Sequence, residues 1–268
     1  MMRSLVQLMD LSERKALVTG GTGHIGLAVG EALIELGASI AILDLDPVSC
    51  KERAEMLSRS GKAVVIPLVY DLKDEHSTRA AVNAAINQLG GLDILIHCAA
   101  YVGTTKISGW VVPLEQQSVA TWDEAIRVNL TSAFIMTQEA KQALSVSGHG
   151  SVIFFGSTYG VSGPDMRLYE GTDMGNPAGY AASKGGLIQL MRYFATVLAP
   201  RIRVNTISPG GVFRNQPEAF HERYKYRTPL GRMATEEELK GAVAYLASDL
   251  SAYVTGHNLM VDGGWTSW

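Results

Sequence analysis

Cysteine is nearly missing from this chain: 268 residues carry two, Cys50 and Cys98. Two thiols make no disulfide framework and point to a reducing compartment. No apolar run reaches the roughly 20 residues a membrane span needs, so no membrane association is expected. Charge is sparse at 18% and sums to -3, which leaves no basic surplus for a nucleic-acid partner. Repeats and low-complexity tracts are absent, and 47% hydrophobic content rules out a disordered chain. The opening "MMRSLVQLMDLSERKALVTG" has acidic residues and no uninterrupted apolar core, unlike a signal peptide. These absences lead us to expect a cytoplasmic, globular protein.

Short apolar runs alternate with segments of helical spacing. Strands are expected over 15–20, 39–46, 63–72, 92–100, 150–158, 202–211 and 257–264. Helices are expected over 25–37, 50–61 with Gly61 as its stop, 76–91, 121–148, 180–200 and 235–249. Thr121 reads as the cap of the fourth helix, with Asp123 and Glu124 in its first turn, and Thr235 as the cap of the last. Near-continuous apolar strands separated by helices mean a parallel sheet covered on both faces, here a doubly wound sheet of about seven strands in one domain spanning 1–268. The least regular stretches, 101–120, 159–179 and 212–233, each follow the C-terminal end of a strand. Ligands bind at that edge of such sheets.

"LVTGGTGHIGLA" joins the first strand to the first helix and spaces Gly20, Gly23 and Gly26 three apart. Glycines there let the backbone approach a ligand, and the helix start offers free N–H groups and a positive dipole end to a pyrophosphate. A single glycine turn is common, but its place at the start of the alternating pattern favours dinucleotide binding. Asp44 ends the second strand 18 residues past Gly26. Its carboxylate suits the adenosine ribose hydroxyls and repels a 2′-phosphate, which favours NAD over NADP. The plainer reading makes Asp44 or Asp46 a solvated turn carboxylate. Asp71, after the third strand, is a candidate partner of the adenine amino group.

"NPAGYAASKGGLIQL" places Tyr180 and Lys184 four apart, on one helix face. An exposed helix face explains the pair equally well by itself. A phenol titrates near pH 10, however, and acid–base work near neutrality needs a drop of about three units, about 4 kcal/mol. A neighbouring ammonium acts in that direction. Ser157 closes a strand at the ligand edge, where it can hydrogen-bond a substrate oxygen, and Asn129 stands mid-helix, where an amide has poor propensity.

With "TGGTGHIG", Asp44, "YDL", "VNL", Ser157, "YAASK", "RVNTISPGG" and "YVTGHNLMVDGG" in order, the chain resembles a classical short-chain dehydrogenase/reductase over nearly its whole length. More distantly, it is similar to members linked to nonulosonic-acid sugar pathways and flagellin modification. The family resemblance implies a single-domain Rossmann fold and an NAD-dependent oxidoreductase that interconverts a secondary alcohol and a ketone. It implies a Ser157–Tyr180–Lys184–Asn129 site. Tyr180 is then the acid/base, Ser157 orients the substrate oxygen, and Lys184 lowers the Tyr180 pKa and holds the nicotinamide ribose. Asn129 positions Lys184 through a water-linked relay. By the same resemblance the cofactor cleft takes Thr22, His24 and Ile25 beside the three glycines, Leu45 beside Asp44, and Leu72 beside Asp71. Cys98, Ala99 and Ala100, then Pro209, Gly210, Gly211 and Val212, complete it. A homotetramer built on the helices at 121–148 and 180–200 is also implied, and Trp265 and Trp268 are candidates for its interfaces.

The chain departs from the family pattern in four places. His24 replaces a usual glycine, so the turn follows the spacing of larger sugar-nucleotide relatives. "HCAA" (97–100) replaces an asparagine-containing turn, and Arg214 stands where a hydroxyl residue often meets the cofactor. Most of all, 23 positions separate Ser157 from Tyr180, longer than usual, so 159–179 reads as an insertion beside the site. The lid segment 212–233 holds Arg214, Arg223, Lys225, Arg227 and Arg232 against Glu218 and Glu222. This suggests an anionic small-molecule substrate, a sugar phosphate or carboxylate, met by Tyr159, Arg214, Arg223 and Arg227; a solvated charged loop explains the same residues. Arg232 reads as structural, Cys98 as a packed residue. No metal site is expected. Two other functions fit: a dehydratase or epimerase using tightly held NAD, suggested by the hybrid glycine turn, and a non-catalytic dinucleotide sensor.

Overall fold

The structure is a computed structural model that describes residues 2–59 and 63–268. After a short helix α1 (Leu5–Met9), strands and helices alternate as β1 (Lys15–Thr19), α2 (His24–Glu35), β2 (Ser39–Asp44), α3 (Pro47–Ser58), β3 (Val65–Val69), α4 (Glu75–Leu89) and β4 (Ile94–His97). The second half runs α5 (Val119–Ile126), α6 (Ser132–Ser147), β5 (Gly150–Phe155), α7 (Ala178–Val197), β6 (Ile202–Pro209), α8 (Glu218–Arg227), α9 (Lys240–Ala247) and β7 (Asn258–Val261). All seven strands pair in parallel in the order β3-β2-β1-β4-β5-β6-β7. This is the single-domain, doubly wound sheet the alternation implied. Strand order reverses between β1 and β4, where crossovers leave a crevice at the strand ends. Register sets what lines it: Thr19 lies opposite both Leu43 and His97, so the segments after β1, β2 and β4 open at one level.

Side chains alternate between two cores. On one face Leu17, Leu95, Val152 and Phe154 pack on Val82, Met136, Leu187 and Met191 of α4, α6 and α7. On the other, Val18, Ile42, Ile96 and Phe155 pack on Val29, Leu33 and Leu57 of α2 and α3 and on Val243 and Leu246 of α9. A third, smaller cluster joins Leu168 and Tyr169 of the insertion, Phe220 and Tyr224 of α8, Met233 and Trp265.

Several boundaries differ from the sequence-based expectation. Helix 121–148 starts at Val119 after Ser118; Thr121 lies inside the helix and gives its hydroxyl to the Ser108 carbonyl at 2.7 Å. Its first turn holds no acidic residue. A π-helical turn, Arg127–Thr131, interrupts it around Asn129. Such turns widen a helix locally and recur at functional sites. Thr235 does cap a helix, in a reciprocal pair with Glu238, whose other oxygen takes Arg232. The proposed stop at Gly61 lies outside the described residues. α8 forms where the sequence suggests irregular chain; its charged residues hide an apolar pair, Phe220 and Tyr224, spaced one turn apart.

Candidate active site

Three glycines shape the turn after β1. Gly20 adopts φ +63, and a Cβ there would lie 2.8 Å from the Ala99 nitrogen. A Cβ on Gly26 would lie 2.0 Å from the Gly20 carbonyl oxygen, so α2 packs against the turn only with hydrogen at that position. Gly23 precedes α2 and leaves its first N–H groups without a side-chain cap. The turn walls a cleft of about 400 Å³ lined by Gly20, Thr22, Gly23, His24, Ile25 and Gly26, by Asp44, Leu45, Asp71 and Leu72, and by Cys98, Ala99 and Ala100. Tyr101, Val102, Val128 and Arg214 line it as well. Asp44 ties this frame together: one carboxylate oxygen accepts from the Thr22 N–H and hydroxyl at 3.1 and 2.6 Å, the other from Leu45 N–H at 2.9 Å. Asp46 caps α3 through Ser49.

The remaining expected cofactor residues stand apart from this lining. Gly210 and Gly211 line a neighbouring recess with Tyr224 and Asp262. Pro209 ends β6, and Val212 is buried in a bridge to Ala234.

Tyr180 and Lys184 sit on α7, which Pro177 introduces. The small residues around them let two segments come close. A Cβ on Gly160 would lie 2.8 Å from the Lys184 carbonyl oxygen, and one on Gly186 would lie 2.7 Å from Leu130. Ser157 follows β5, and its hydroxyl acts to lower the proton affinity of the Tyr180 phenol. The three residues stand outside the cleft lining, next to the Cys98 wall, where the Lys184 ammonium and the Cys98 thiol influence each other.

The electrostatics differ from the sequence-based expectation. Burial pushes the Tyr180 phenol above its usual range, offset in part by the Ser157 hydroxyl. Lys184 does not lower it: its ammonium donates to the Phe155 carbonyl at 2.6 Å and lies 5.7 Å from the centre of the Tyr180 ring. Burial of that ammonium, 3% exposed as a residue, pulls its pKa from 10.5 to about 8. The Cys98 thiol is pushed up by burial, in keeping with a packed, unreactive group.

Asn129 is wholly buried on the π-helical turn and its amide is fully engaged. It accepts from Tyr101 N–H at 2.7 Å and donates to the Tyr101 carbonyl at 3.1 Å and Ser183 hydroxyl at 2.9 Å. Asn129 thus fastens the loop after β4 to α7. Two further residues of the site escaped sequence reasoning. Thr19 accepts from the Cys98 and Ala99 N–H groups at 3.2 and 3.1 Å, so its own proton goes to His97 Nδ1 at 2.9 Å. His97 Nε2 then faces Ser132 at 3.5 Å, whose hydroxyl donates to the Val128 carbonyl. Buried in this chain, His97 is held neutral, with its pKa lowered to about 3. Ser183 was visible within "YAASK", but its tie to residue 129 is not local.

The lid arginines are committed elsewhere. Arg223 donates to the Leu168 and Glu170 carbonyls. Arg227 stacks 4.6 Å over Trp265 and lies 3.5 Å from Asp165. Both line an outer recess with Arg167 and Trp268, not the cleft. Arg214 lines the cleft itself and pairs with Glu236 at 3.1 Å. Tyr159 opens the insertion: the Tyr169 hydroxyl donates to it at 2.8 Å, and Trp265 packs edge-on against its ring.

Comparison with known proteins agrees with this fold. A family model described as "Enoyl-(Acyl carrier protein) reductase" matches residues 21–266. The chain belongs to the short-chain dehydrogenase/reductase family. It is 32% identical over 261 residues to a cis-4-hydroxycyclohexanecarboxylate dehydrogenase of Sinomonas cyclohexanicum, covering 96% of this chain and 98% of the relative. It is 30% identical over 265 residues to D-threitol dehydrogenase of Mycolicibacterium smegmatis, covering 96% and 94%. The crystal structure of an NADPH-dependent 3-quinuclidinone reductase of Rhodotorula rubra superposes with a TM-score of 0.86 at 27% identity, covering 100% of this short-chain dehydrogenase/reductase and 97% of that chain. The family uses a nicotinamide cofactor, and its match makes this chain an oxidoreductase acting on alcohols or ketones. Among the described residues no helix is long and apolar enough to cross a membrane.

Proposed function

We propose that the protein is an NAD-preferring dehydrogenase that interconverts a secondary alcohol of a polyhydroxylated or alicyclic small molecule and its ketone. The observation that carries this reading is the convergence of Ser157, Tyr180 and Lys184 against the wall of a cleft whose glycine turn and Asp44 suit a dinucleotide. The close Cβ approaches at Gly20 and Gly26 mark a turn that no side chain may fill. Asp44 presents a carboxylate where a 2′-phosphate would need a cation, and Arg214 alone among the described lining residues is a lysine or arginine.

A bound nicotinamide supplies the redox half of the reaction. Tyr180 holds the proton that is given to, or taken from, the substrate oxygen. Ser157 faces that phenol and orients the same oxygen. Burial raises the phenol's proton affinity, so Tyr180 stands protonated and ready to donate in the reductive direction. Lys184, anchored on Phe155, places an ammonium 5.7 Å from the centre of the Tyr180 ring, and a positive charge added to the cleft strengthens the oxidative direction. Asn129 holds the cleft wall at Tyr101 against α7, a positioning role. Arg223 and Arg227 are tied to carbonyls, Asp165 and Trp265, which weakens the case for an anionic substrate and leaves hydroxyl recognition to Tyr159 and Tyr169. Subunit contacts of a homo-oligomer fall on α6 and α7, which expose Phe134, Tyr193 and Val197.

The test is turnover of a panel of polyols, hydroxycyclohexane carboxylates and sugar phosphates with NAD and with NADP, in wild type and Tyr180→Phe. We expect polyol or alicyclic oxidation with NAD, and a loss of about 10³-fold in kcat in the variant with little change in cofactor binding. Equal turnover by Tyr180→Phe, or preference for NADP, defeats the proposal.

A further inference from the structure

We propose that Arg223 is a positioning residue: it fastens α8 to the insertion and so keeps the lid assembled independently of ligand. The kinetic side of this proposal rests on the dehydrogenase reading above; the conformational side does not.

α8 does not stand by its own sequence. It has ten residues, of which only Phe220 and Tyr224 are buried, and Pro217 before it offers no side-chain cap. Helices this short are marginal in water unless packing holds them. What α8 touches therefore decides whether it is folded. Tyr224 accepts from Gly211 N–H, which joins the helix to the segment after β6. Three further ties run to one short stretch of the insertion, 165–170. The Phe220 ring centre lies 5.3 Å from that of Tyr169. Arg227 lies 3.5 Å from Asp165. Arg223 Nη1 donates to the Leu168 and Glu170 carbonyls.

The insertion depends on Arg223 in return. Met166–Tyr169 forms a 3₁₀ turn opened by Asp165, whose carboxylate accepts from Arg167 N–H at 3.2 Å. The Leu168 and Glu170 carbonyls near its end take no other hydrogen bond among the described residues. Arg223 thus caps this turn from a different element, and a charged donor makes the stronger kind of hydrogen bond. The turn is tied to the reacting centre as well: the Tyr169 hydroxyl donates to Tyr159 at 2.8 Å, and Tyr159 N–H donates to Ser157 Oγ at 3.1 Å. Contacts run unbroken from Ser157 through Tyr159 and Tyr169 to α8. Lys225, on the same helix, reaches only Glu222, in an exposed pair.

Hydrogen–deuterium exchange, read by mass spectrometry without added ligand, tests this on wild type, Arg223→Met, Arg223→Lys and Lys225→Met, with thermal melting of each. Loss of charge-assisted hydrogen bonds predicts that 218–227 exchanges about tenfold or more faster in Arg223→Met, while α4 matches wild type. Arg223→Lys recovers part of the protection. Lys225→Met removes the same charge and stays within about threefold of wild type. In turnover of the panel alcohol that wild type oxidises fastest, Arg223→Met raises KM about threefold or more and changes kcat by less than about twofold, because only the assembled lid binds substrate. Unchanged protection of 218–227 in Arg223→Met overturns the proposal. So does an equal loss in Lys225→Met, which would make helix charge the cause. Faster exchange in α4 in step with α8 overturns it too, since Arg223 would then serve general stability. A wild type that turns over no panel alcohol removes the dehydrogenase reading and leaves the exchange result to decide.

Discussion

Replacing Lys184 by Met should change how stability responds to alkali, and the size of the change follows from burial. The ammonium is 3% exposed and titrates at about 8, against 10.5 for its ordinary value. The unfolded chain therefore binds more protons than the folded one between these values, so folded-state stability rises with pH across that window. The lowered proton affinity acts as a penalty below pH 8 and vanishes above 10.5. Integrating from pH 7 to pH 10 gives a gain of about 2–3 kcal/mol for wild type relative to Lys184→Met. For a chain of this size that equals roughly 5–10 °C in melting temperature. Urea unfolding of both proteins without added cofactor, at pH 7, 8, 9 and 10, reads the difference directly, since all other groups cancel. A difference between the two proteins that stays flat, or falls, refutes the burial argument. It would mean the lysine is solvated, and the anchor on Phe155 with it.

Acid should act on His97 in the opposite part of the scale. Its pKa falls from 6.5 to about 3, so the unfolded chain takes up protons that the folded one refuses, and stability drops as pH falls below 6.5. Between pH 7 and pH 4 wild type should lose about 3 kcal/mol more than His97→Asn in urea unfolding, and parallel curves would disprove it. Gly26→Ala brings a methyl group to 2.0 Å from the Gly20 carbonyl oxygen. It should destabilise the protein by about 3 kcal/mol and weaken ADP-ribose binding; a melting temperature unchanged from wild type would show that α2 can shift away from the turn.

Periodicity and turn chemistry revealed the alternating frame because those signals are local. Gly20, Gly26 and Asp44 were readable for the same reason: each position is dictated by a neighbouring turn or strand end. The pairing of Tyr180 with Lys184 was readable as geometry, but its electrostatics were not. The sequence shows an ammonium one turn away; it does not show that Phe155, 29 residues earlier, takes that ammonium at 2.6 Å. The lid arginines misled in the same way. Arg223 is answered by carbonyls more than 50 residues upstream and Arg227 by an indole near the C-terminus. α8 was hidden by charge, since eleven residues of "PEAFHERYKYR" bury only Phe220 and Tyr224. Long-range partners decide what a charged side chain is free to do, and no local pattern records them.

The small aromatic cluster carries a consequence for specificity exchange. Insertion, α8 and Trp265 share one set of contacts, with Tyr159 joined to it through Tyr169. A relative's shorter loop grafted in place of 159–179 would strip α8 and the tail of their packing counterpart. Under the proposed function, any substrate preference carried by Tyr159 would depend on three chain segments packed as a block, and transplanting it would require moving all three.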